Sequence, residues 1–378
     1  MISGIFCALY IFLILYFRKG WKNLKTFNPS GQKPVTIISV IIPARNEEKN
    51  LPFLLNDLTN QKYPQHLFEI IVVDDHSEDK TAEIIKSFKN VKLISLSDYA
   101  KPSANSFKKL AIETAINQSK GDLIVTTDAD CRVGPLWLFT ISAFYEQGKN
   151  KMIVMPVSFN YNSSFLGLFQ ILDFLSLQGI TAASVNLKFP LMCNGANLAY
   201  SKSAFNEVNG FSENNKLASG DDMFLLHKIA AKFPGEVSYL KSTDVLVYTE
   251  PMKTVSSFIN QRIRWAGKNK AYKNLKIKII MLLVYVFNVM LLITPFLILI
   301  KPLTVTVSSN KIISFWIFLL LLKTLVEMWF LKPVTRFFKY EGILGFFPLA
   351  QLFHIFYTVV AGTFGFKTKY KWKGRIVK

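Results

Sequence analysis

Short apolar runs alternate with amphipathic segments through the middle of the chain. The runs lie at 35–42, 68–73, 91–96 and 121–126. Continuous β-branched runs are typical of strands buried on both faces of a parallel sheet. After the first run, Asn46 can cap a helix in which Leu51, Leu54, Leu55 and Leu58 repeat at helical spacing. Alternating strands and helices predict an α/β domain with a mainly parallel sheet.

Longer apolar segments flank this region and predict membrane helices. They are Met1–Phe17, Ile277–Ile300, Ile312–Leu331 and Ile343–Phe366. The first lacks a basic n-region and a cleavage site, which predicts an uncleaved anchor. The last contains Pro348 and three glycines, so we expect a re-entrant or interfacial element there. Residues 165–180 are apolar around Asp173, which favours a core or membrane-interface helix over a catalytic role for this aspartate.

The distribution of charge divides the chain into three domains: an N-terminal anchor, the central α/β domain and a C-terminal membrane region. Residues 1–34, an anchor and linker, carry five basic residues and no acid, and residues 271–378 form a basic membrane region. The net charge of +20 therefore collects beside apolar segments, as the positive-inside rule expects, and places residues 35–270 in the cytoplasm. Three full C-terminal crossings would put the basic tail outside, so we prefer a cytoplasmic tail.

Several classes of protein are disfavoured. The basic charge avoids the predicted domain, which argues against nucleic-acid binding. Three scattered cysteines predict neither disulfides nor a zinc site. Neither G-x-G-x-x-G after the first strand nor a Walker A sequence is present. Lys323, Glu327 and His354 lie in membrane segments, where ionisable groups are functional candidates. Lys323 and Glu327 can equally neutralise each other, and His354 can face a neighbouring helix.

Acidic residues follow two of the predicted strands. Asp74 and Asp75 end one, Asp128 and Asp130 end another, and 43–47 follow the first. Ligands of parallel α/β sheets bind beyond the carboxyl ends of the strands. Each aspartate could be a turn former, but that reading does not explain two acidic pairs on one rim. Carboxylates with substrate phosphates suit Mg²⁺ or Mn²⁺, which would neutralise a diphosphate leaving group.

Five motifs in order resemble those of membrane-bound family-2 glycosyltransferases with a GT-A fold. "PARNEE" (43–48) resembles P-x-x-N-E, and "VVDDHSED" (72–79) resembles V-D-D-G-S-x-D with His76 in place of glycine. "DAD" (128–130) resembles D-x-D, and "SGDD" (219–222) resembles [ST]-G-E-D. "QRIRW" (261–265) matches Q-x-x-R-W. The resemblance covers 35 to about 270 and implies a metal-dependent, inverting glycosyltransferase of the hexosyltransferase type.

The resemblance also implies roles for individual residues. Asp222 would be the catalytic base, and Asp130 would hold the metal. The donor, expected to be a UDP-sugar, would contact Pro43, Arg45, Glu47, Asp74, Asp75, Lys108 or Lys109, Asp128, Gln261, Arg262 and Arg264. The acceptor would meet Asn194, Gly195, Ala196, Asn197, Asp221 and Trp265. An amphipathic juxtamembrane helix with snorkelling arginines is the other interpretation of "QRIRW".

The acceptor stays open between two classes. Q-x-x-R-W is usual in members that make polymers, which favours a processive, poly-N-acetylglucosamine-like synthase. Few membrane segments and the tail "WKGR" favour a lipid acceptor at the cytoplasmic face of the inner membrane, which we prefer. A non-catalytic nucleotide-sugar-binding membrane protein is the alternative of another class, and it would have no use for a base.

Overall fold

A computed structural model gives the architecture. It describes residues 2–31, 33–99, 107–148, 150–212, 220–268, 272, 274–299, 309–365, 370–372 and 375–377. Ser219 of "SGDD" and much of the basic tail lie outside these ranges. The chain folds into two compact units. The helical unit comprises Met1–Trp21, Tyr161–Gly179 and Pro251–Thr368, and the sheet unit comprises Lys22–Asn160, Ile180–Glu250 and Lys369–Lys378. The expected consecutive boundaries near 34 and 270 are therefore not those of the compact units.

The sheet unit is built on a seven-stranded sheet of order β3-β2-β1-β4-β8-β6-β9. Its strands are β1 (Ile38–Ala44), β2 (Phe68–Asp74), β3 (Val91–Ser95), β4 (Leu123–Thr126), β6 (Met152–Val154), β8 (Leu198–Ser201) and β9 (Val237–Tyr239). The first four pair in parallel, as predicted, and only β8 runs antiparallel to its neighbours β4 and β6. Strands β5 (Arg132–Val133), β7 (Val157–Phe159) and β10 (Val247–Thr249) form a second sheet.

The register of the parallel strands places their carboxyl ends at one edge of the sheet, as predicted. Ala44 of β1 pairs with Asp74 of β2, and Ile41 pairs with Thr126 of β4. The residues that follow these three strands therefore meet at the same rim, because parallel neighbours end together. The strands are buried on both faces, which accounts for their continuous apolar sequence.

Helices of the sheet unit complete the α/β layers. They are α2 (Leu51–Thr59), α3 (Thr81–Ser87), α4 (Phe107–Asn117), α5 (Trp137–Gln147), α7 (Lys202–Glu207) and α8 (Asp221–Lys232). The leucines predicted to line one face of α2 are buried. The expected cap is wrong: Asn50 precedes α2, whereas Asn46 has a φ of 52°. Asparagine tolerates this left-handed conformation, and it places Asn46 in the loop before the helix.

The helical unit is built from helices, most of which are long and apolar. They are α1 (Ile2–Asn23), α6 (Phe165–Asn186), α9 (Val255–Gly267), α10 (Leu275–Leu299), α11 (Ser309–Phe337) and α12 (Phe347–Phe364), of which α6 continues beyond Gly179 into the sheet unit. Among the described residues, five segments are long and apolar enough to cross a membrane; they lie in α1, α6, α10, α11 and the segment Glu341–Phe364. A short antiparallel pair, β11 (Tyr370–Trp372) and β12 (Arg375–Val377), ends the chain.

Two helices bear on the sequence predictions. Pro348 lies in the first turn of α12, where its missing N–H costs nothing, so α12 is not broken where a re-entrant turn was expected. Residues 165–180 form a helix as predicted, and the candidate span in α6 is mostly buried inside the protein.

Buried polar contacts link the helices of the helical unit. Glu327 of α11 accepts hydrogen bonds from the Lys323 ammonium at 2.7 Å, from the Gln351 amide at 2.7 Å and from the Tyr10 hydroxyl. The predicted pair of Lys323 and Glu327 is therefore present, with both side chains buried. These bonds join α1, α11 and α12. They favour the interpretation in which Lys323 and Glu327 neutralise each other inside the protein.

Candidate active site

The loops that follow β1 and β2 are joined by reciprocal hydrogen bonds. The Asn46 N–H donates to Ser77 Oγ at 3.0 Å, and the Glu78 N–H donates to Asn46 Oδ1 at 2.9 Å. The Arg45 guanidinium donates to the carbonyls of Asp75 and His76 at 2.7 and 2.9 Å. Arg45 and Glu47 are buried, and these bonds satisfy backbone groups that a loop would otherwise expose. The two motifs "PARNEE" and "VVDDHSED" therefore form one rigid rim.

The two aspartates of this rim differ in their contacts. Asp75 Oδ1 lies 3.0 Å from His76 Nδ1. Asp74 Oδ1 is buried and has no hydrogen-bond partner among the described residues. A buried acceptor without a donor costs about 1–3 kcal/mol, so Asp74 Oδ1 is suited to receive a donor from a ligand. His76 has a φ of 53°, which is why the resembling motif has glycine at this position.

Lys108 connects two of the acidic motifs. Its ammonium lies 2.6 Å from Asp128 Oδ1 and 3.8 Å from Asp221 Oδ2. Burial lowers the pKa of Lys108, but Asp128, Asp221 and Asp222 outweigh it and raise the pKa above its ordinary value. The neighbouring Lys109 is buried and its ammonium lies over the Phe224 ring. Lys108 therefore faces the carboxylates of Asp128 and Asp221.

Asp222 lies at the start of α8 and accepts hydrogen bonds from two backbone N–H groups. Its Oδ1 accepts from Met223 at 2.8 Å, and its Oδ2 accepts from Gly195 at 3.1 Å. Gly220 precedes the helix with a φ of 92°, and a Cβ there would lie 2.7 Å from the Phe224 ring. Glycine is thus required by both the backbone and the space, which explains the glycine of "SGDD".

The backbone of Gly195 lies beside Asp222, Asp221 and Lys108. A Cβ at this position would lie 3.5 Å from Asp222 Cβ, 3.6 Å from Asp221 Oδ2 and 3.7 Å from Lys108 Nζ. Its carbonyl accepts a hydrogen bond from Thr126 Oγ1 at 3.1 Å. The absent side chain therefore leaves room beside the candidate base, the second aspartate and the lysine together.

The acidic residues could hold a divalent ion only with help from a substrate. Asp130 is exposed, and Asp128 is paired with Lys108. Within the described ranges there is no group of three metal-ligating side chains. Mg²⁺ is commonly held by one or two carboxylates together with substrate phosphates and water. The donor set therefore fits Mg²⁺ or Mn²⁺ carried with a diphosphate, and Asp130 is the carboxylate that would hold it.

Of the predicted acceptor residues, Asn197 lies in the core. Its side chain is fully buried, accepts from Trp137 Nε1 at 3.1 Å and donates to the carbonyls of Pro156 and Val245 at 2.7 and 2.8 Å. These bonds occupy the amide inside the core, so it has no face for a substrate. Ala196 is also buried, whereas Asn194 is half-buried and its Oδ1 accepts from the Ala196 N–H.

The segment "QRIRW" lies on α9 in the helical unit. The buried Arg262 donates from Nε and Nη2 to Asp173 Oδ2 at 3.0 and 2.6 Å, and from Nη1 to Gln261 at 2.7 Å. This fork geometry gives Arg262 a protein partner where a diphosphate contact was expected. Arg264 and Trp265 are half-buried, and their predicted contacts with substrate stay predictions.

Two residues that matter for these arrangements were not assigned roles from the sequence. Thr126, which holds the Gly195 carbonyl, had no signal beyond its place at a strand end. Asp173 did have one, because an ionisable residue inside an apolar helix demands a partner. Its partner is remote in sequence, so the pattern could not show which arginine it meets.

Comparison with known proteins agrees with this architecture. Residues 39–208 match the family described as Glycosyl transferase family 2. The chain therefore contains a family-2 glycosyltransferase domain, which includes the rim motifs and the segment 194–197. The described part of the chain also has five helices long and apolar enough to cross a membrane, which fits a membrane-bound glycosyltransferase.

Individual proteins support the family and the fold. The chain is 26% identical over 244 residues to the poly-beta-1,6-N-acetyl-D-glucosamine synthase of Staphylococcus epidermidis, covering 63% of this chain and 55% of that protein. It is 35% identical over 126 residues to the undecaprenyl-phosphate 4-deoxy-4-formamido-L-arabinose transferase of Pseudomonas savastanoi pv. phaseolicola, covering 30% and 34%. The chain thus spans about half the length of the first relative and a third of the second.

A solved structure shares the fold along nearly the whole chain. This is the mannosyltransferase PcManGT from Pyrobaculum calidifontis in complex with GDP-Man and Mn²⁺, with a TM-score of 0.61 and 17% identity. The match covers 94% of this chain and 99% of that one. At this identity the likeness concerns the fold, which is the GT-A fold expected from the motifs.

Proposed function

We propose that the protein is an inverting glycosyltransferase that moves a sugar from a nucleotide sugar to a lipid acceptor at the cytoplasmic face of the inner membrane. The observation that carries the proposal is the group of Lys108, Asp128, Asp221 and Asp222 around the bare backbone of Gly195. Lys108, Asp128 and Gly195 of this group lie within the family-2 match at 39–208, and the described part of the chain has five apolar helices.

The donor is a nucleoside diphosphate sugar, with UDP preferred. The unpartnered Asp74 Oδ1 supports a ligand N–H or O–H at the rim, which a uracil or a ribose supplies. We expect the Lys108 ammonium to contact the diphosphate, because three neighbouring carboxylates raise its pKa and keep it charged. A divalent ion on Asp130 would neutralise the charge that develops on the leaving diphosphate. Pro43, Arg45 and Glu47 shape this side of the site.

Asp222 is the base of a single displacement. It takes the proton of the acceptor hydroxyl while that oxygen attacks C1 of the sugar, and the nucleoside diphosphate leaves with the electrons of the broken bond. Attack opposite the leaving group inverts the configuration at C1. The two N–H donors on Asp222 support this role, because they fix the direction of the carboxylate without a rotamer search.

A lipid acceptor is favoured by the five apolar helices. The candidate span in α6 is mostly buried inside the protein, which leaves few helices to surround a growing sugar chain. The lipid-phosphate acceptor in the name of the Pseudomonas savastanoi relative supports the same choice. The second candidate, a processive polysaccharide synthase, is favoured by the Staphylococcus epidermidis relative.

The test separates the two acceptors. Membranes containing the protein are incubated with a panel of labelled UDP-sugars and GDP-mannose, and the product is divided into an organic extract and a polymer fraction. We expect one donor to label a lipid of a single added sugar. A ladder of polymer would favour the synthase, and no incorporation from any donor would contradict the function.

A base variant tests the mechanism. Asp222→Asn keeps the size and one of the two hydrogen-bond acceptor oxygens but removes the basic carboxylate, so transfer should fall by about 10²–10⁴-fold while UDP binding stays unchanged. Asp122→Asn, on an exposed residue of the sheet unit, is the matched control and should behave as wild type. Full turnover by the Asp222 variant would show that another group is the base.

A further inference from the structure

A second buried ion pair in the helical unit joins the helix of "QRIRW" to its neighbours. Asp173 of α6 is buried and accepts two hydrogen bonds from the fork of Arg262 on α9, at 2.6 and 3.0 Å. It also accepts from the Tyr357 hydroxyl of α12, and His354 Nε2 lies 3.9 Å from it. A single carboxylate therefore ties three helices together.

The same contacts determine the orientation of α9. The Arg262 guanidinium lies between two rings of its own helix, 4.6 Å from the Phe258 centroid and 4.2 Å from the Trp265 centroid. Its remaining nitrogen donates to Gln261 Oε1. An arginine with a fixed fork and stacked rings holds its helix face in one rotation. Gln261 and Trp265 are thus placed by what Arg262 binds.

We propose that Asp173 is a positioning residue for sugar transfer: through Arg262 it fixes the orientation of Gln261, Arg264 and Trp265 on α9. The proposal rests on the proposed function and on the expectation from the sequence that these three residues contact the substrates. Asp173 acts only through Arg262 and does not touch the reacting atoms. Arg262, expected from the sequence to contact the diphosphate, instead transmits the position of Asp173 to its helix.

The chain offers a closely matched control. Glu327 is also a buried carboxylate of the helical unit that accepts from a basic side chain and from a tyrosine hydroxyl. Its partners, Lys323 and Tyr10, lie on α11 and α1 rather than on α9. Neutralising either carboxylate leaves a buried cation without its counter-charge. General loss of stability should therefore be similar for the two, while an effect on α9 should follow Asp173 alone.

The experiment compares Asp173→Asn and Glu327→Gln in the purified full-length protein. Three quantities are measured: hydrogen–deuterium exchange of residues 255–268, UDP binding, and the kcat and KM of transfer. We expect Asp173→Asn to raise exchange in α9 about tenfold, to lower kcat by about 10–100-fold and to weaken UDP binding. Glu327→Gln should leave exchange of α9 and kcat at wild-type values.

A milder variant covers a failure to fold. Tyr357→Phe removes one hydroxyl from Asp173 and keeps the ion pair, so we expect a smaller fall in kcat in the same direction. Wild-type kcat in both Asp173→Asn and Tyr357→Phe, or an equal fall of kcat in Glu327→Gln, would overturn the positioning role. Absence of transfer by the wild-type protein would instead contradict the proposed function, and the exchange of α9 would still test the role of Asp173.

Discussion

Replacing Gly195 by alanine adds one methyl group beside the candidate base and should separate activity from stability. Gly195 does not lie in the left-handed region, so alanine fits its backbone. The new Cβ would meet its three nearest atoms at 3.5, 3.6 and 3.7 Å, which are ordinary contacts. We therefore expect the free energy of unfolding to change by less than about 1 kcal/mol, with a contribution from the less flexible unfolded chain.

The effect on transfer should be much larger. The methyl occupies the room that Asp222, Asp221 and Lys108 share, and a displacement of reacting atoms by about 1 Å can cost 10²-fold in rate. Since each tenfold change in rate corresponds to about 1.4 kcal/mol, kcat/KM should fall by the equivalent of about 2.7 kcal/mol. Initial rates with labelled donor measure this fall, and thermal unfolding in detergent measures stability.

Gly134→Ala is the control for Gly195→Ala. Among the described residues, a Cβ at Gly134 would have one atom within 4 Å, the Asp244 carbonyl oxygen at 3.8 Å, and it lies outside the carboxylate group. This variant should keep wild-type stability and rate. Wild-type kcat/KM in Gly195→Ala would refute the reasoning, because it would show that no substrate atom uses the space. A parallel loss of stability and rate would make the glycine structural.

Three further outcomes are expected. Asn197→Ala should lower the free energy of unfolding by about 3–5 kcal/mol, because it leaves buried hydrogen-bond partners unsatisfied, and the acceptor KM of the folded fraction should not change. A raised acceptor KM at wild-type stability would support Asn197 as an acceptor contact. Gly220→Ala should cost about 1–3 kcal/mol and lower kcat, since Asp221 and Asp222 follow the strained turn; both are read from melting curves and initial rates. EDTA should stop transfer, and Mg²⁺ or Mn²⁺ should restore it. EDTA should not shift the melting temperature of the donor-free protein, because the described residues contain no group of three metal-ligating side chains. Undiminished transfer in chelator would exclude a role for the ion.

The sequence alone determined the local plan of the sheet unit. Continuous apolar runs can be satisfied only by strands covered on both faces, and the four runs became β1 to β4 in parallel pairing. The parallel arrangement then required the acidic motifs to share a rim. Glycines were informative for the same local reason: the φ of Gly220 is a property of a few consecutive residues, and so is visible as a motif.

Only the tertiary structure decided which polar side chains form hydrogen bonds inside the protein and are therefore not available to a ligand. Asn197 stands in a segment that resembles an acceptor site, yet its partners Trp137, Pro156 and Val245 come from three other parts of the chain. Asp173 and Arg262 lie 89 residues apart and form one buried pair. Hydrogen bonds between distant residues depend on how elements pack, and no local pattern of hydrophobic and polar positions encodes that packing.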